Sequence, residues 1–430
     1  MSRKLILFSA GCFFALLFLA PAGGGRAAAE VVIGPDKILL RDNKPWFAMM
    51  MFANSCKLLG GEWVPDTEAL DYVLDHLEGT PFGLLDYSTP VGGYDYTKQM
   101  GDKCLQRGIA WGLSLKDLYE PRSGWPRWNQ RERFFPGQEP LEVARELARR
   151  LKGHPALAFY YTNDELPTED WHSRLKAMQD MLKREDPSHP TVHQHNEDRI
   201  LGQRDCYDIY AHQFFNGGVR QIPQNFGRMP GIATKVAAAD APFWGCMDLH
   251  ISTTTAERFR TMCYGLIANG ARGILFYAFH RMHEMDRYDG DEPRFERDWD
   301  RLVEVAREIE RRLPITLQPL ADYQCSTSAE DVALRTVAGE HGMWLLVVNA
   351  DEDRTRDITI TVDLSVIEAV DDGGAAYPLR GGRLRLGLEP YDVYLIELRS
   401  ETPPDSADLN RDGIVNFLDF SIFIEQWVRN

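Results

Sequence analysis

The chain has 430 residues, of which 44% are hydrophobic and 26% charged, a globular composition too long for one small domain and too apolar for a disordered chain. Its formal charge of −16 repels nucleic-acid phosphates and anionic lipid, which argues against both as partners. Aromatics reach 11% with ten Trp, more than a core of this size requires.

Residues 1–29 read as a signal peptide. Arg3-Lys4 supply the positive end, Leu5 to Ala20 the apolar stretch, and Ala27-Ala28-Ala29 an A-x-A cleavage site. The chain is therefore expected outside the cytoplasm, secreted to an extracellular or periplasmic space. Cys12 invites a lipoprotein reading, but the apolar run continues for eight residues beyond it, whereas a lipidation cysteine ends such a run. No later stretch approaches about 18 apolar residues, so no membrane insertion is expected after cleavage. Six cysteines remain (Cys56, Cys104, Cys206, Cys246, Cys263 and Cys325), scattered singly and read as buried thiols.

From 30 to 317, short apolar runs alternate with amphipathic helical stretches. The runs are Trp46–Phe52, Phe82–Tyr87, Ile109–Leu115, Ala156–Thr162, Thr191–His195, Tyr207–His212, Phe243–Leu249 and Gly273–Phe279. Segments 140–154 and 174–186 carry apolar positions three and four apart. Eight strands alternating with helices over this length predict an α/β fold, a (β/α)8 TIM barrel. A doubly wound sheet is the alternative, but no glycine-rich phosphate turn follows the first strand. Residues 318–400 lose helical periodicity and carry strand-like runs Val332–Val337, Met343–Val348, Ile358–Val362, Leu384–Leu388 and Val393–Leu398, separated by Asp371–Gly374 and Arg380–Gly382 turn clusters. This pattern predicts a small antiparallel β-sandwich, followed by a proline-bearing linker at 401–407.

Residues 408–430 hold the strongest motif. Asp408, Asn410, Asp412, Asn416 and Asp419 place oxygens at positions 1, 3, 5, 9 and 12 of a loop, Gly413 takes position 6, and Ile414 offers its carbonyl at 7. A hard cation needs six or seven such oxygens, which predicts structural Ca2+. With Asp419 in place of Glu and no preceding helix, this single EF-hand-like segment resembles a dockerin repeat. The resemblance covers Asp408–Trp427 and implies a cohesin-like or cell-surface protein partner.

Barrel chemistry belongs at the C-terminal ends of the strands. The fourth strand ends in Asn163, Asp164 and Glu165, two acids expected to repel each other and so raise one of their pKa values. A carboxylate pair capping the next helix is the simpler reading. The segment HPALAFYYTNDEL resembles the fourth strand of clan A glycoside hydrolases, and more closely uncharacterised barrel relatives of the β-galactosidases. That resemblance implies Glu165 as acid/base, with Asp164 standing where the clan has Asn. Residues 42–54 and 268–279 resemble the relatives' first and last strands. The seventh strand lacks the clan's nucleophilic Glu. Asp248 is its nearest carboxylate, acting as nucleophile or as water-activating base, and otherwise a helix cap or an Arg partner. Glu284 is the alternative second carboxylate. Substrate contacts are expected from Asn163, Asp164, His193, His195, His212, Asp86, Trp125 and Trp128. A metal pair or packed imidazoles are the other readings of His193 and His195. The expectation is a secreted glycosidase acting on a neutral poly- or oligosaccharide by two-carboxylate catalysis without a catalytic cofactor. The alternative is a non-catalytic glycan-binding or scaffold protein on a degenerate barrel.

Overall fold

Eight parallel strands close into a barrel in chain order: β1 (Ala48–Ala53), β2 (Gly83–Asp86), β3 (Trp111–Ser114), β4 (Leu157–Asp164), β5 (Thr191–His195), β6 (Ile209–Gln213), β7 (Phe243–Asp248) and β8 (Gly273–Tyr277), with β8 pairing back onto β1. The computed structural model describes residues 30–60, 62–86, 92–118, 135–165, 168–196, 201–214, 222–249, 255–279 and 292–400. Helices cover the outside: α1 (Thr67–Leu77), α2 (Gly93–Gln106), α3 (Pro140–Leu151), α4 (Thr168–Glu185), α5 (Ile222–Ala238), α6 (Ala256–Ala268) and α7 (Glu292–Thr316). Helix α3 shows the local logic. Pro140 opens it, Val143, Leu147 and Leu151 share its buried face, and Arg149 and Arg150 complement the dipole in its last turn. Among the described residues no α-helix joins β5 to β6. Residues 196–208 make the crossover, and their described part holds 3-10 turns, Arg204–Cys206 among them.

The strands alternate between two apolar clusters. Phe52, Leu85, Phe159, Tyr161, Trp244 and Leu275 fill the barrel interior, while Met51, Leu84, Leu113, Tyr210 and Phe276 face the helices. Gly112 on β3 makes room for this filling, since a Cβ there would meet the Phe159 ring at 2.5 Å. Before the barrel, Val31–Ile33, Leu39–Arg41 and Lys44–Trp46 form an antiparallel sheet. Its Val31 and Leu39 join the interior cluster and close the N-terminal end. The apolar run Trp46–Phe52 is thus shared between this plug and β1, a boundary that hydropathy alone does not mark.

After α7 the chain forms a four-stranded antiparallel sheet (Val332–Gly339, Gly342–Asn349, Val393–Ser400, Val366–Asp371) and a three-stranded one (Arg356–Thr361, Arg383–Leu388, Leu379–Arg380). Leu345, Val347 and Ile396 of the first pack with Ile358, Ile360, Leu384 and Leu386 of the second. The opposite face of the first sheet, through Leu346, Val348 and Leu395, joins the barrel's helix layer. Burial on both faces explains why the run Met343–Val348 is continuously apolar. Strand Val366–Asp371 escapes a hydropathy reading because Ile367 and Glu368 face water.

Glu308 of α7 ties the barrel to these sheets. It accepts from Arg260 of α6 at 2.9 Å, from Tyr264 Oη at 3.1 Å and from Arg312. Arg260 also donates to Val393 O and Arg312 to Asp372. Burial alone pushes the Glu308 carboxyl up, but the two guanidiniums and the tyrosine outweigh it and hold the group below the ordinary carboxylate range. A depressed folded value means the stabilisation is present above the unfolded value near 4.3 and is lost as pH falls through the folded one. Glu308→Gln is accordingly expected to cost about 2–3 kcal/mol at pH 7 and much less near pH 3, as read from urea unfolding at the two pH values. All six described cysteines are buried free thiols. Among the described residues no helix is long and apolar enough to cross a membrane.

Candidate functional site

A one-residue irregularity in β4 shapes the barrel mouth. Pairing with β5 runs Tyr160 to Thr191 and Tyr161 to Val192, then skips Thr162 and resumes as Asn163 to His193 and Asp164 to Gln194. Tyr161 and Val192 belong to the barrel interior. The extra residue therefore swaps the alternation, bringing Asp164 to the inner face beside Gln194 and turning Asn163 outward with His193.

Carrying each strand's inner alternation one step past the apolar interior reaches Ser114 on β3, Asp164 on β4, Gln194 on β5, Gln213 on β6, Asp248 on β7 and Tyr277 on β8. Every one is polar. Among the described residues, Ser114 Oγ, Gln194 Oε1 and Gln213 Oε1 are buried without a hydrogen-bond partner, an arrangement native proteins keep for water or a ligand. Lys116, just beyond β3, donates to Asp164 Oδ2 at 2.5 Å. Gln194 Nε2 donates to Asp164 Oδ1 at 3.2 Å.

The expected mutual repulsion of Asp164 and Glu165 is therefore not what governs this end of β4, because Asp164 is paired with a cation. Glu165 follows half-buried, its N–H donating to Gln194 O at 3.1 Å. Its φ of +61° puts a non-glycine residue in the left-handed region, at a cost of about 1–2 kcal/mol. Strain of this kind collects at functional sites. Cys246 is buried on the inner face of β7. Burial pushes its thiol well up, and the carboxylates of Asp164, Asp248 and Glu165 each raise it further. All three lie within Coulomb reach of one sulfur.

Other expected contacts are placed differently. Asp86 is fully buried and accepts the Ser55 N–H at 3.0 Å, so it holds the end of β1 and does not reach toward a ligand. His193 packs its ring 5.5 Å from Tyr207 on the helix side of β5. Burial, with His195 beside it, lowers its imidazole to about 3. It is a neutral packed ring, not a mouth contact. His195 is buried at the end of β5, and no third ligand joins the two histidines in a metal cluster among the described residues. His212 also faces outward. Its Nδ1 meets Tyr210 Oη at 3.0 Å and its Nε2 meets Arg228 of α5 at 3.4 Å. Gln213, and not His212, takes the inner position at the end of β6. Trp125, Trp128, Glu284 and the calcium residues Asp408, Asn410, Asp412, Ile414, Asn416 and Asp419 lie outside the described residues, as do the leader and the linker. Sequence reasoning missed Ser114, Lys116 and Tyr277. Lys116 was detectable as the cation that ends the apolar run Ile109–Leu115.

This architecture is that of a (β/α)8 barrel, a fold found in solved glycoside hydrolases. One structure described as a glycoside hydrolase matches with TM-score 0.57 and 12% identity over 86% of this chain and 96% of its own. A family 5 glycoside hydrolase from Bacteroides vulgatus ATCC 8482 matches at 0.58 and 13%, over 85% and 92%. An Anoxybacillus alpha-amylase matches at 0.53 and 10%, over 82% and 98%. No protein-family profile and no curated protein matches the sequence. At these identities the likeness is one of fold.

Proposed function

We propose that the chain is a secreted glycoside hydrolase cleaving O-glycosidic bonds of a neutral poly- or oligosaccharide, with Glu165 as general acid/base and Asp248 as the second carboxylate. The observation that carries this reading is the polar ring above an apolar barrel interior, with Asp164 and Asp248 at its level on β4 and β7 and Glu165 next in the chain after β4. Asp164 has both oxygens engaged by Lys116 and Gln194, which leaves Glu165 to protonate the leaving oxygen. Asp248 is one methylene shorter than the Glu expected on this strand. That widens the gap between the two groups and suits a base that activates water from the opposite face. Ser114, Gln194 and Gln213 offer the hydroxyl and amide groups that sugar hydroxyls pair with. Among the described mouth residues one lysine stands against three carboxylates, and the chain as a whole carries −16, which is why a neutral and not an anionic glycan is proposed. The test is a panel of neutral polysaccharides assayed for new reducing ends. Cleavage supports the reading, whereas binding without cleavage would favour a glycan-binding scaffold.

The remaining assignments complete the proposal. Residues 1–29 are a leader, 30–317 the catalytic barrel, 318–400 a β-sandwich domain, 401–407 a linker and 408–430 a dockerin-type repeat. That repeat holds Ca2+ through Asp408, Asn410, Asp412, the Ile414 carbonyl, Asn416 and Asp419, and docks on a cohesin-like or cell-surface protein. Without metal, Asp408, Asp412 and Asp419 repel one another, so chelation is expected to expose residues 405–430 to protease while leaving the barrel's unfolding transition unchanged. Limited proteolysis with and without chelator, beside a thermal melt, reads both.

A further inference from the structure

The β5–β6 crossover carries a second group of chemistry-bearing side chains, away from the mouth. Asp205 and Cys206 sit in the turn Arg204–Cys206, and His172 of α4 meets them. His172 Nε2 lies 3.0 Å from Asp205 Oδ1, and Cys206 Sγ lies 3.7 Å from the same oxygen. The three donor atoms all fall within 4.8 Å of one another. A tetrahedral zinc ion with ligands at about 2.0–2.3 Å spaces its donors by about 3.3–3.6 Å. The two separations from Asp205 Oδ1 already lie within a few tenths of an ångström of that spacing, and closing the third side, from His172 to Cys206, completes a coordination sphere.

The chemistry of the set points the same way. One imidazole nitrogen, one carboxylate oxygen and one sulfur suit zinc, whereas calcium and magnesium take oxygen alone. His172 and Asp205 have side chains 42% and 47% exposed, which leaves an entry path, while Cys206 is buried beneath them. Among the described residues the ion pair that Asp205 Oδ2 makes with Lys176 at 4.0 Å is a long one, and Lys176 is already held by both oxygens of Asp180 at 2.9 Å. The position also has a structural logic. A metal bridging α4 to this turn would supply the restraint that a packed helix gives in the other crossovers.

We propose that His172, Asp205 and Cys206 form a zinc site that ties the β5–β6 crossover to α4, with water in the fourth position. On binding, the Cys206 S–H bond breaks, its proton passes to solvent and a Zn–S bond forms, with no change of oxidation state.

The test uses the full chain, stripped with chelator, dialysed and titrated with Co2+. One equivalent is expected to bring a near-ultraviolet thiolate-to-cobalt charge-transfer band and visible bands of tetrahedral intensity, both removed by Zn2+. Oxygen donors alone, as in the calcium loop, give no thiolate band. Cys206→Ser should abolish the band. His172→Gln, at a half-exposed position that spares the fold, should weaken Co2+ binding by tenfold or more. Zn2+ should raise the melting temperature of the parent chain but of neither variant. The proposal is overturned if stoichiometric Co2+ gives no charge-transfer band, if the band persists in Cys206→Ser, or if His172→Gln binds Co2+ as tightly as the parent.

Discussion

Glu165→Gln is expected to lower turnover on the cleaved glycan by about 10²–10⁴-fold while leaving the melting temperature within a degree or two of the parent. The amide keeps the size and shape of the carboxyl but cannot deliver a proton to the leaving oxygen. Stability should hold because Glu165 makes no described side-chain hydrogen bond or ion pair, and its one described anchor is the backbone bond to Gln194 O, which the substitution spares. A substrate with an activated leaving group that departs without protonation should recover most of the loss, and this separates a missing acid from a distorted site. Full turnover by the variant on the natural glycan would remove Glu165 from the mechanism. The proton would then have to come from Asp164 or from a residue beyond the described mouth.

The second large effect is expected on stability. Lys116→Met should destabilise the fold by about 2–4 kcal/mol at pH 7, as read from urea unfolding. The Lys116 and Asp164 side chains are only 11% and 15% exposed. Removing the cation takes away the counter-charge at 2.5 Å from a nearly buried carboxylate that also accepts from the Gln194 amide at 3.2 Å. The methylene stem of Lys116 is conserved in Met, so the loss reports charge and not packing. Adding Asp164→Asn to Lys116→Met should return a good part of the stability, because the stranded charge is then gone. A single variant within about 0.5 kcal/mol of the parent would mean that water reaches this pair and screens it as at a surface.

The barrel was legible because its evidence is local. Each strand is a short apolar run and each helix a stripe of period 3.6, as in Val143, Leu147 and Leu151. The run Thr191–His195 even coincides with β5 to the residue. What the run could not show is which of its faces looks inward. Period two puts His193 and His195 on one side, but which side is the mouth depends on how the barrel closes: Val192 faces its interior, so Gln194 lines the mouth and His193 packs on Tyr207. On β4 the skip at Thr162 decides instead that Asp164, and not Asn163, turns inward. A bulge is a property of two paired strands and leaves no periodic trace in either one.

The carboxylates divide in the same way. Their presence at strand ends, Asp164 and Glu165 after a run of apolar residues and Asp248 after another, is written in the order of the residues. Their electrostatic roles are not, because the partner that neutralises Asp164 is Lys116, 48 positions earlier in the chain. Only closure of the barrel brings that ammonium to the carboxylate. By itself, then, the sequence determined the number and order of the barrel strands, the acids at their ends and the change of pattern after α7, all of which rest on neighbours in the chain. The tertiary structure decided which side chains face inward and which acid is paired, because these depend on strand register and on Coulomb interactions between distant segments.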